Sequence, residues 1–541
     1  MKDFFSFHCI ILLLSLPVFL HSQDNPIIFV PQSYAISTAS GIQASPSVLY
    51  AGSQDEFLAV WVDYRACHEN CLKADIYGQM LDIDGKHIGS DFRINDSEHF
   101  YYNDEGMPPS IAYDHHQDRF LVCWDDREKV YSQLVDPSAG PGATGSNHVV
   151  TTGVPGRATS PAIIYNSRKK KYLIAWDNRD PYDIYIKGLD KEGAPVGLHK
   201  AVNSEGGGEP AWAYNSNNPG FLLAWTDGFG FDKDIYYRMV GTDGRFKSPK
   251  RPIADLAGVQ NNAQATYNMY QDLFLVVWTD DRDLIQNRVE IYGQKIRGNG
   301  KMEGDNFRIT YSAELEVSSM ESLDFSLPGQ KFLLAYTNVQ GGTVNHDVLG
   351  KWLHTDGQPN PGTLPIAAET YNELTPSVSA SENSPNFLVG WDDGRNAATT
   401  RNDIYGRRIK SKFKIGQPEK YLSEEVKNRI MERGKVSGKE IQEYWKQYMQ
   451  ERSALVESIL VELEKQQIGP ESAFSEKLSA FKKEMDSVLG VEVSEKILAN
   501  PSLVEIVKTW AAEKKKAIIK KTAGEAGLPE EETDSILTLV P

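Results

Sequence analysis

Acidic and basic residues recur together along this chain, just after a tryptophan. The recurring pairs are Asp63 with Arg65, Asp126 with Arg127, Asp177 with Arg179, Asp280 with Arg282, and Asp393 with Arg395. Guanidinium groups beside carboxylates could bind a carboxylate ligand or build the acid–base centre of a glycosidase. A catalytic group is needed once, however, whereas a group that stabilises a repeated unit is needed in every unit. We therefore interpret these residues as structural pins.

A second acidic residue begins the phrase Asp-Ile-Tyr that follows each tryptophan. It is Asp75, Asp183, Asp234 or Asp403 in four of the copies, and Glu290 takes its place in another. Because it starts the strand next to the one that ends in arginine, we expect Arg65 to pair with Asp75 across the strands. The equivalent residues of the other copies should pair likewise and hold the intervening loop.

The tryptophan belongs to a phrase that returns about every 50–60 residues. The copies are FLAVWVDYR from Phe57, FLVCWDDR from Phe120, YLIAWDNR from Tyr172, FLLAWTDG from Phe221, FLVVWTDDR from Phe274, FLLAYTN from Phe332 and FLVGWDDGR from Phe387. Each copy holds four segments rich in β-branched and aromatic residues, bounded by turn formers. This pattern predicts an all-β, seven-bladed β-propeller. Either YAIST from Tyr34 or KFKI from Lys412 would complete the last blade.

These blades resemble those of secreted bacterial β-propellers that carry YLVVW-x-D-x-R followed by DIYGQ, over roughly residues 27–415. The resemblance implies the architecture and says little about activity, since that family is mixed in what its members do. The chain lacks the Ser-x-Asp-x-Gly-x-Thr-Trp box of sialidase-type propellers. It also lacks the Gly-His…Trp-Asp pattern of eukaryotic scaffold propellers.

Ligand-binding residues are expected where the copies differ on one face. The loop between the second and third strands and the connection from the fourth strand to the next blade open at the same end, and loops on rigid scaffolds often carry function. The candidates at this end are Tyr64, His68, Tyr102, Glu105, Glu209, Phe229, Phe231 and Glu373. Aromatic and carboxylate side chains suit a glycan or a peptide, although exposed loops also carry Tyr and Glu without such a role.

The cysteines do not suggest catalysis. Cys67 and Cys71 fall in one loop, where an oxidising compartment would permit a small disulfide ring. Free thiols and a metal site are the alternatives, and the metal site lacks obvious further ligands. Cys123 precedes Trp124 where other copies carry small or slim residues, which indicates a packed side chain rather than a nucleophile. No zinc-protease, serine-hydrolase, phosphate-loop or dinucleotide motif is present, and we expect neither a metal nor a cofactor.

Composition and the N-terminus indicate an exported globular protein. The formal charge of −17 over 541 residues disfavours nucleic acid as a partner, because phosphate binding needs basic surfaces. An apolar run from Phe4 to Leu20 follows Lys2, and Ser22 offers a small residue for cleavage, as in secretory signals. No later apolar run is long enough for a bilayer span. We expect a secreted or periplasmic protein with no transmembrane segment in the mature chain.

After about Gln417 the turn residues give way to helix formers rich in Glu and Lys. Apolar residues three, four or seven apart predict amphipathic helices, the first over roughly 438–466. The predicted domains are a signal peptide at 1–22, the β-propeller at 23–415, and a separate C-terminal α-helical bundle at 416–541.

Two functions fit these features. The first is a secreted binding protein, in which one propeller face binds an extracellular glycan or protein and the helical domain serves docking or assembly. The alternative is a propeller-fold hydrolase or lyase acting on extracellular glycans, with its acid and base among the non-repeated Glu and Asp residues. Repeated structural residues without a catalytic signature favour the binding protein.

Overall fold

The chain folds into a ring of β-sheets. The computed structural model describes residues 32–411 except 53, 67–72, 97–98, 101–107, 140–141, 181, 203–205, 283–288, 312–314, 341–345 and 398–401. These residues form seven antiparallel sheets, whose first strands contact one another in succession around a closed ring. The seven-bladed β-propeller is confirmed. The predicted signal peptide and helical domain lie outside the described residues.

Strand β1 (Tyr34–Ser37) precedes the first blade. Blade 1 has β2 (Gln43–Ala51), β3 (Glu56–Asp63), β4 (Lys73–Asp82) and β5 (His87–Arg93), with a short β6 (His99–Phe100) paired to β4. Blade 2 has β7 (Ser110–Asp114), β8 (Arg119–Asp125), β9 (Val130–Val135) and β10 (Ala143–Val149), with a 3₁₀ turn at Pro137–Ala139. Blade 3 has β11 (Ala158–Asn166), β12 (Lys171–Arg179), β13 (Tyr182–Leu189) and β14 (Pro195–Ala201).

The remaining blades repeat this order. Blade 4 has β15 (Gly208–Asn215), β16 (Gly220–Phe229), β17 (Asp232–Gly241) and β18 (Arg251–Ala254). Blade 5 has β19 (Gln260–Asn268), β20 (Leu273–Asp280), β21 (Glu290–Arg297) and β22 (Met302–Arg308). Blade 6 has β23 (Leu315–Ser326), β24 (Lys331–Gln340), β25 (His346–Leu353) and β26 (Leu364–Ala367). Blade 7 has β27 (Glu373–Ala380), β28 (Asn386–Asp393) and β29 (Asp403–Lys410).

The second strand of each blade supplies most of the core. Every residue of β20 and β28 is buried, because neighbouring blades cover both faces of these strands. One hydrophobic cluster joins Leu58 of blade 1 to Phe120 and Trp124 of blade 2, and the other clusters likewise bridge successive blades. The near-continuous apolar run before each tryptophan is therefore the seam between blades.

The N-terminal strand completes the last blade. Tyr34 and Ala35 of β1 pair antiparallel with Gly406 and Tyr405 of β29. The segment at Tyr34 thus fills the fourth-strand position for which the sequence also offered Lys412, a residue outside the described range. Blade 7 therefore has no open edge where its fourth strand belongs.

The first strand of each blade has one edge without a neighbouring strand. Side chains of the preceding blade accept hydrogen bonds from backbone N–H groups along this edge. These bonds run from Val48 to Ser377 Oγ, from Ile163 to Ser110 Oγ and from Val378 to Ser322 Oγ, each at 3.0 Å. The three serines hold the same position in their blades. A buried N–H without an acceptor is costly, so these hydroxyls stabilise the contact between blades.

We expect Ser377→Ala to lower the free energy of unfolding by about 1–2 kcal/mol, because the Val48 N–H would lose its acceptor. Urea denaturation of the full chain measures this loss. The control is Ser138→Ala, which removes an exposed hydroxyl bonded to Asp136 and should change stability by less than about 0.5 kcal/mol. Equal changes in the two variants would contradict the role of Ser377.

Candidate functional site

The repeated Asp and Arg form a compact unit with the tryptophan and with the tyrosine of the next strand. In blade 1 the buried Asp63 carboxylate accepts hydrogen bonds from Trp61 Nε1–H and from the Arg65 backbone N–H, each at 2.8 Å. The Arg65 guanidinium donates two further hydrogen bonds to the same carboxylate, at 2.9 and 2.7 Å. It also lies 3.8 Å from the centroid of the Tyr77 ring. All four side chains are therefore held in place by one another.

The same unit returns in other blades. It consists of Trp278, Asp280, Arg282 and Tyr292 in blade 5, and of Trp391, Asp393, Arg395 and Tyr405 in blade 7. Blade 4 has no arginine here. Instead Lys250, the residue before its fourth strand, donates a hydrogen bond to Asp227 at 2.6 Å and lies 4.3 Å from the centroid of the Tyr236 ring. A cation over a tyrosine, paired with a buried aspartate, is thus the common feature.

The predicted partner of the arginines was wrong. Arg65 pairs with Asp63 and Asp91 instead of Asp75, and Asp75 is bonded by Arg93 at 3.1 Å and Asn95 at 2.7 Å. Likewise Arg282 pairs with Asp280, while Glu290 pairs with Arg308. Asp403 accepts a bond from Asn396 at 2.6 Å. The reason is steric: the guanidinium folds back over the tyrosine ring, which directs it to the carboxylate of its own strand.

Asp280→Ala is expected to lower the free energy of unfolding by about 3–5 kcal/mol, because Arg282 and Trp278 would lose their buried acceptor. Chemical denaturation measures the effect. Asp305→Ala serves as the control, since Asp305 is exposed on the outer strand of the same blade. It should change stability by less than about 0.5 kcal/mol. A neutral Asp280→Ala variant would show that the unit is not a structural pin.

The predicted ligand residues lie in separate parts of the fold. His68, Tyr102, Glu105, Cys67 and Cys71 lie outside the described residues, so their predicted roles stay predictions. Tyr64 is half-buried and packs against the core between blades 1 and 2. Glu209 and Phe231 both belong to blade 4: Glu209 is half-buried in β15, and Phe231 is 94% exposed in the turn after β16, which ends at Phe229.

Glu373 is completely buried, and its place in the fold indicates a structural role. It lies opposite Asp393, in the register position that Gln43 occupies opposite Asp63 and Gln260 opposite Asp280. Burial, together with the charges of Asp393 and Asp347, raises the pKa of Glu373 to about 8. The carboxyl is therefore mainly neutral at pH 7, when it can donate a hydrogen bond as a glutamine does.

Glu373→Gln should remove a pH dependence of stability. Since the pKa of Glu373 is about 8 when folded and near 4.5 when unfolded, stability falls as the pH rises between these values. The variant should match the parent near pH 5 and be more stable by about 1–3 kcal/mol near pH 9, where the parent has a buried charge. Melting curves at pH 5, 7 and 9 measure the difference. A gap that stays constant with pH would contradict the assignment.

Asp177 in blade 3 departs from its repeat counterparts, and the sequence comparison missed this difference. It is buried, yet its Oδ1 has no hydrogen-bond partner among the described residues. Burial raises the pKa of Asp177 to about 6; Arg179 lowers it, and Glu209 of the next blade raises it. The sequence signal for this difference is in blade 4, where three glycines, Gly206–Gly208, and then Glu209 lead into and begin the first strand.

We define the upper face as the loops between second and third strands with the strand residues that border them, together with the connections from each fourth strand to the next blade. Most of the large hydrophobic side chains that the described residues expose lie on it. They are Tyr182, Phe231, Leu256, Tyr311 and Tyr371, whereas Val196, Leu198 and Met302 lie on fourth strands. Exposed aromatic residues gathered at one end of a rigid scaffold are typical of binding surfaces.

Other classes of site find no support in the described part of the chain. It contains no cluster of three or more His, Cys, Asp or Glu side chains that could hold a metal ion. Cys123 is a free, fully buried thiol whose pKa is raised by burial, which confirms it as a packed side chain. No helix among residues 32–411, gaps excepted, is long and apolar enough to cross a bilayer.

Comparison with known proteins gives likeness of fold alone. No family model and no curated protein matches the chain. A Dyadobacter fermentans protein of unknown function is 11% identical over 71% of this chain and 100% of its own, with a TM-score of 0.40. The Myceliophteria thermophila Cps50 (Swd1) β-propeller domain is 10% identical over 70% and 100%, with a TM-score of 0.43. A Bacteroides thetaiotaomicron endo-arabinase is 11% identical over 48% and 95%, with a TM-score of 0.30.

Proposed function

We propose that this chain is an exported binding protein that holds an extracellular ligand, a glycan or a protein, on the upper face of its β-propeller. The observation that carries the proposal is the exposure of Tyr182, Phe231, Leu256, Tyr311 and Tyr371 on that face. Exposed apolar and aromatic side chains collected at one end of a rigid scaffold are typical of a surface that a partner buries.

The buried charges support binding over catalysis. The repeated Asp and Arg residues are occupied by contacts within each blade, such as those of Asp63 with Trp61 and Arg65. A ligand would therefore meet residues that differ from blade to blade. Tyr182 and Phe231 come from adjacent blades, and Glu209 adds a carboxylate from the first strand of blade 4.

Export and the second domain are part of the same proposal. The sequence at residues 1–22 has the order of a secretory signal, and the blades resemble those of secreted bacterial propellers. The helical sequence at 416–541 would then dock or assemble the propeller at the cell envelope or outside the cell. Both statements rest on sequence patterns.

A glycan hydrolase or lyase is the second candidate, and one observation favours it. Asp177 and Glu209 are interacting carboxylates in adjacent blades, and the pKa of Asp177, raised to about 6, suits a general acid. Turnover of a bound glycan that Asp177→Asn abolishes would establish the enzyme and displace the binding protein.

The binding proposal predicts that Phe231→Ser and Tyr182→Ser each weaken the ligand at least about tenfold, because each removes an exposed aromatic anchor. A glycan array and a panel of extracellular proteins, screened with the mature chain, supply the ligand. Leu198→Ser is the control, since Leu198 is 88% exposed but lies on the fourth strand of blade 3. Equal weakening by the control, or no ligand in either screen, would refute the use of the upper face.

A further inference from the structure

The interface between blades 3 and 4 lacks a hydrogen bond that two other interfaces have. The residue after the tryptophan is Asp125 in blade 2 and Asp392 in blade 7. Asp125 accepts the N–H of Ser160 in the next blade at 3.1 Å, and Asp392 accepts that of Ser45 at 2.8 Å. Ser160 and Ser45 are bulged residues with left-handed φ angles of 53° and 54°. Each carboxylate therefore has a fixed donor across the interface.

Asp177 holds the same position in blade 3 without that donor. The bulged residue of blade 4 is Glu209, with a φ of 55°. Asp177 Oδ2 contacts Arg179 Nε at 3.2 Å and Thr159 Oγ1 at 3.4 Å, while Oδ1 has no hydrogen-bond partner among the described residues. Asp177 is only 4% exposed, so this carboxylate oxygen is desolvated and has no donor in the part of the chain that the structure describes. A buried acceptor of this kind is expected to have a donor in the functional state.

Glu209 brings a second carboxylate to this interface. Its Oε2 accepts the N–H of Asn262 and the hydroxyl of Thr226, each at 2.9 Å, so its position is fixed from blades 4 and 5. Its charge adds to burial in raising the pKa of Asp177. Arg179 is the cation that contacts Asp177, and its side chain is 47% exposed. Asp177 is thus paired with one partly solvated cation, while the charge of Glu209 also acts on it.

The glycines before Glu209 bring backbone, and no side chains of their own, to this site. Gly207 takes the register position at which other blades carry Gln43, Gln260 and Glu373. Gly208 lies so close that a Cβ placed on it would be 3.2 Å from Asp177 Oδ2. Blade 4 therefore has backbone alone where three other blades place a long side chain.

From this geometry we propose that Asp177 and Glu209 form a subsite for a primary ammonium group of the ligand. The inference rests on the proposed binding function and names the chemical class bound there. A hydroxyl could donate to Asp177 Oδ1, but it would leave the repulsion between the two carboxylates in place. An ammonium supplies the missing donor and neutralises the excess charge together. Tyr182 and Phe231, on the upper face of the same two blades, are suited to contact the molecule that carries the ammonium group.

Titration calorimetry of the full mature chain with pentalysine amide tests the subsite, with penta-acetyl-lysine amide as the neutral counterpart. Spermidine, in a separate arm, distinguishes a free polyamine from a peptide. We expect pentalysine amide to bind and the acetylated peptide not to bind. Asp177→Asn and Glu209→Gln should each weaken binding about tenfold or more, because a carboxylate facing the ammonium is lost. Circular dichroism checks that each variant is folded.

Asp243→Asn is the matched control, because it removes one negative charge from an exposed turn at the opposite end of blade 4. It should leave pentalysine binding within about twofold. Equal weakening by this control would reveal attraction to the overall charge and overturn the subsite. Absence of pentalysine and spermidine binding would overturn it as well. In that case a ligand from the glycan or protein screen that still depends on Phe231 would leave the binding function intact.

Discussion

The first strand of each blade has an edge that no other strand pairs with, and the whole propeller depends on how the N–H groups of that edge find hydrogen-bond acceptors. The preceding blade supplies acceptors from its own first strand and from the residue after its tryptophan. Ser377 accepts the Val48 N–H, and Asp392 accepts the Ser45 N–H. The blades are therefore joined by directional bonds as well as by apolar contact. Because the acceptors come from the preceding blade, a substitution in one blade acts on the stability of the next.

Within a blade the tryptophan, aspartate, arginine and tyrosine solve a different problem. A loop must leave the second strand and return to the third while an aspartate stays buried. Placing the aspartate between Trp61 Nε1 and the Arg65 guanidinium gives it neutralising charge and hydrogen bonds, and stacking on Tyr77 shields the cation. Buried ion pairs stabilise only when such partners are complete. The upper-face loops can therefore vary in sequence while the tryptophan, aspartate, arginine and tyrosine below them keep the same contacts.

Much of this fold could be predicted from the repeat, because its period, its apolar runs and its turn residues all specify four strands per blade. The closing strand could not, since Tyr34 and Lys412 begin segments with equivalent patterns, and only pairing distinguishes them. The partner of Arg65 was predicted wrongly because strand order gives adjacency and not the direction of a long side chain. Glu373 was assigned to the ligand face because it precedes the seventh copy and differs from its repeat counterparts, whereas its register is that of the buried Gln43 and Gln260.

The site between blades 3 and 4 shows the limit of comparing copies. Asp177 follows the tryptophan of blade 3 as Asp125 follows that of blade 2, so the sequence next to it does not distinguish it. Its environment differs because the next blade supplies Glu209 after Gly206–Gly208. That difference becomes visible only when the neighbouring repeat is placed against it, so pairs of successive repeats carry information that single repeats lack.

The closure of blade 7 by β1 also has a consequence for the order of folding. Each of blades 1 to 6 can form from consecutive residues, so its contacts are short-range and form quickly. The pairing of Tyr34 with Gly406 instead joins the two ends of the described chain and carries the entropy cost of a very long loop. The ring is therefore completed after β29 has been synthesised, and the half-built blade 7 is the last part of the propeller to need protection from aggregation.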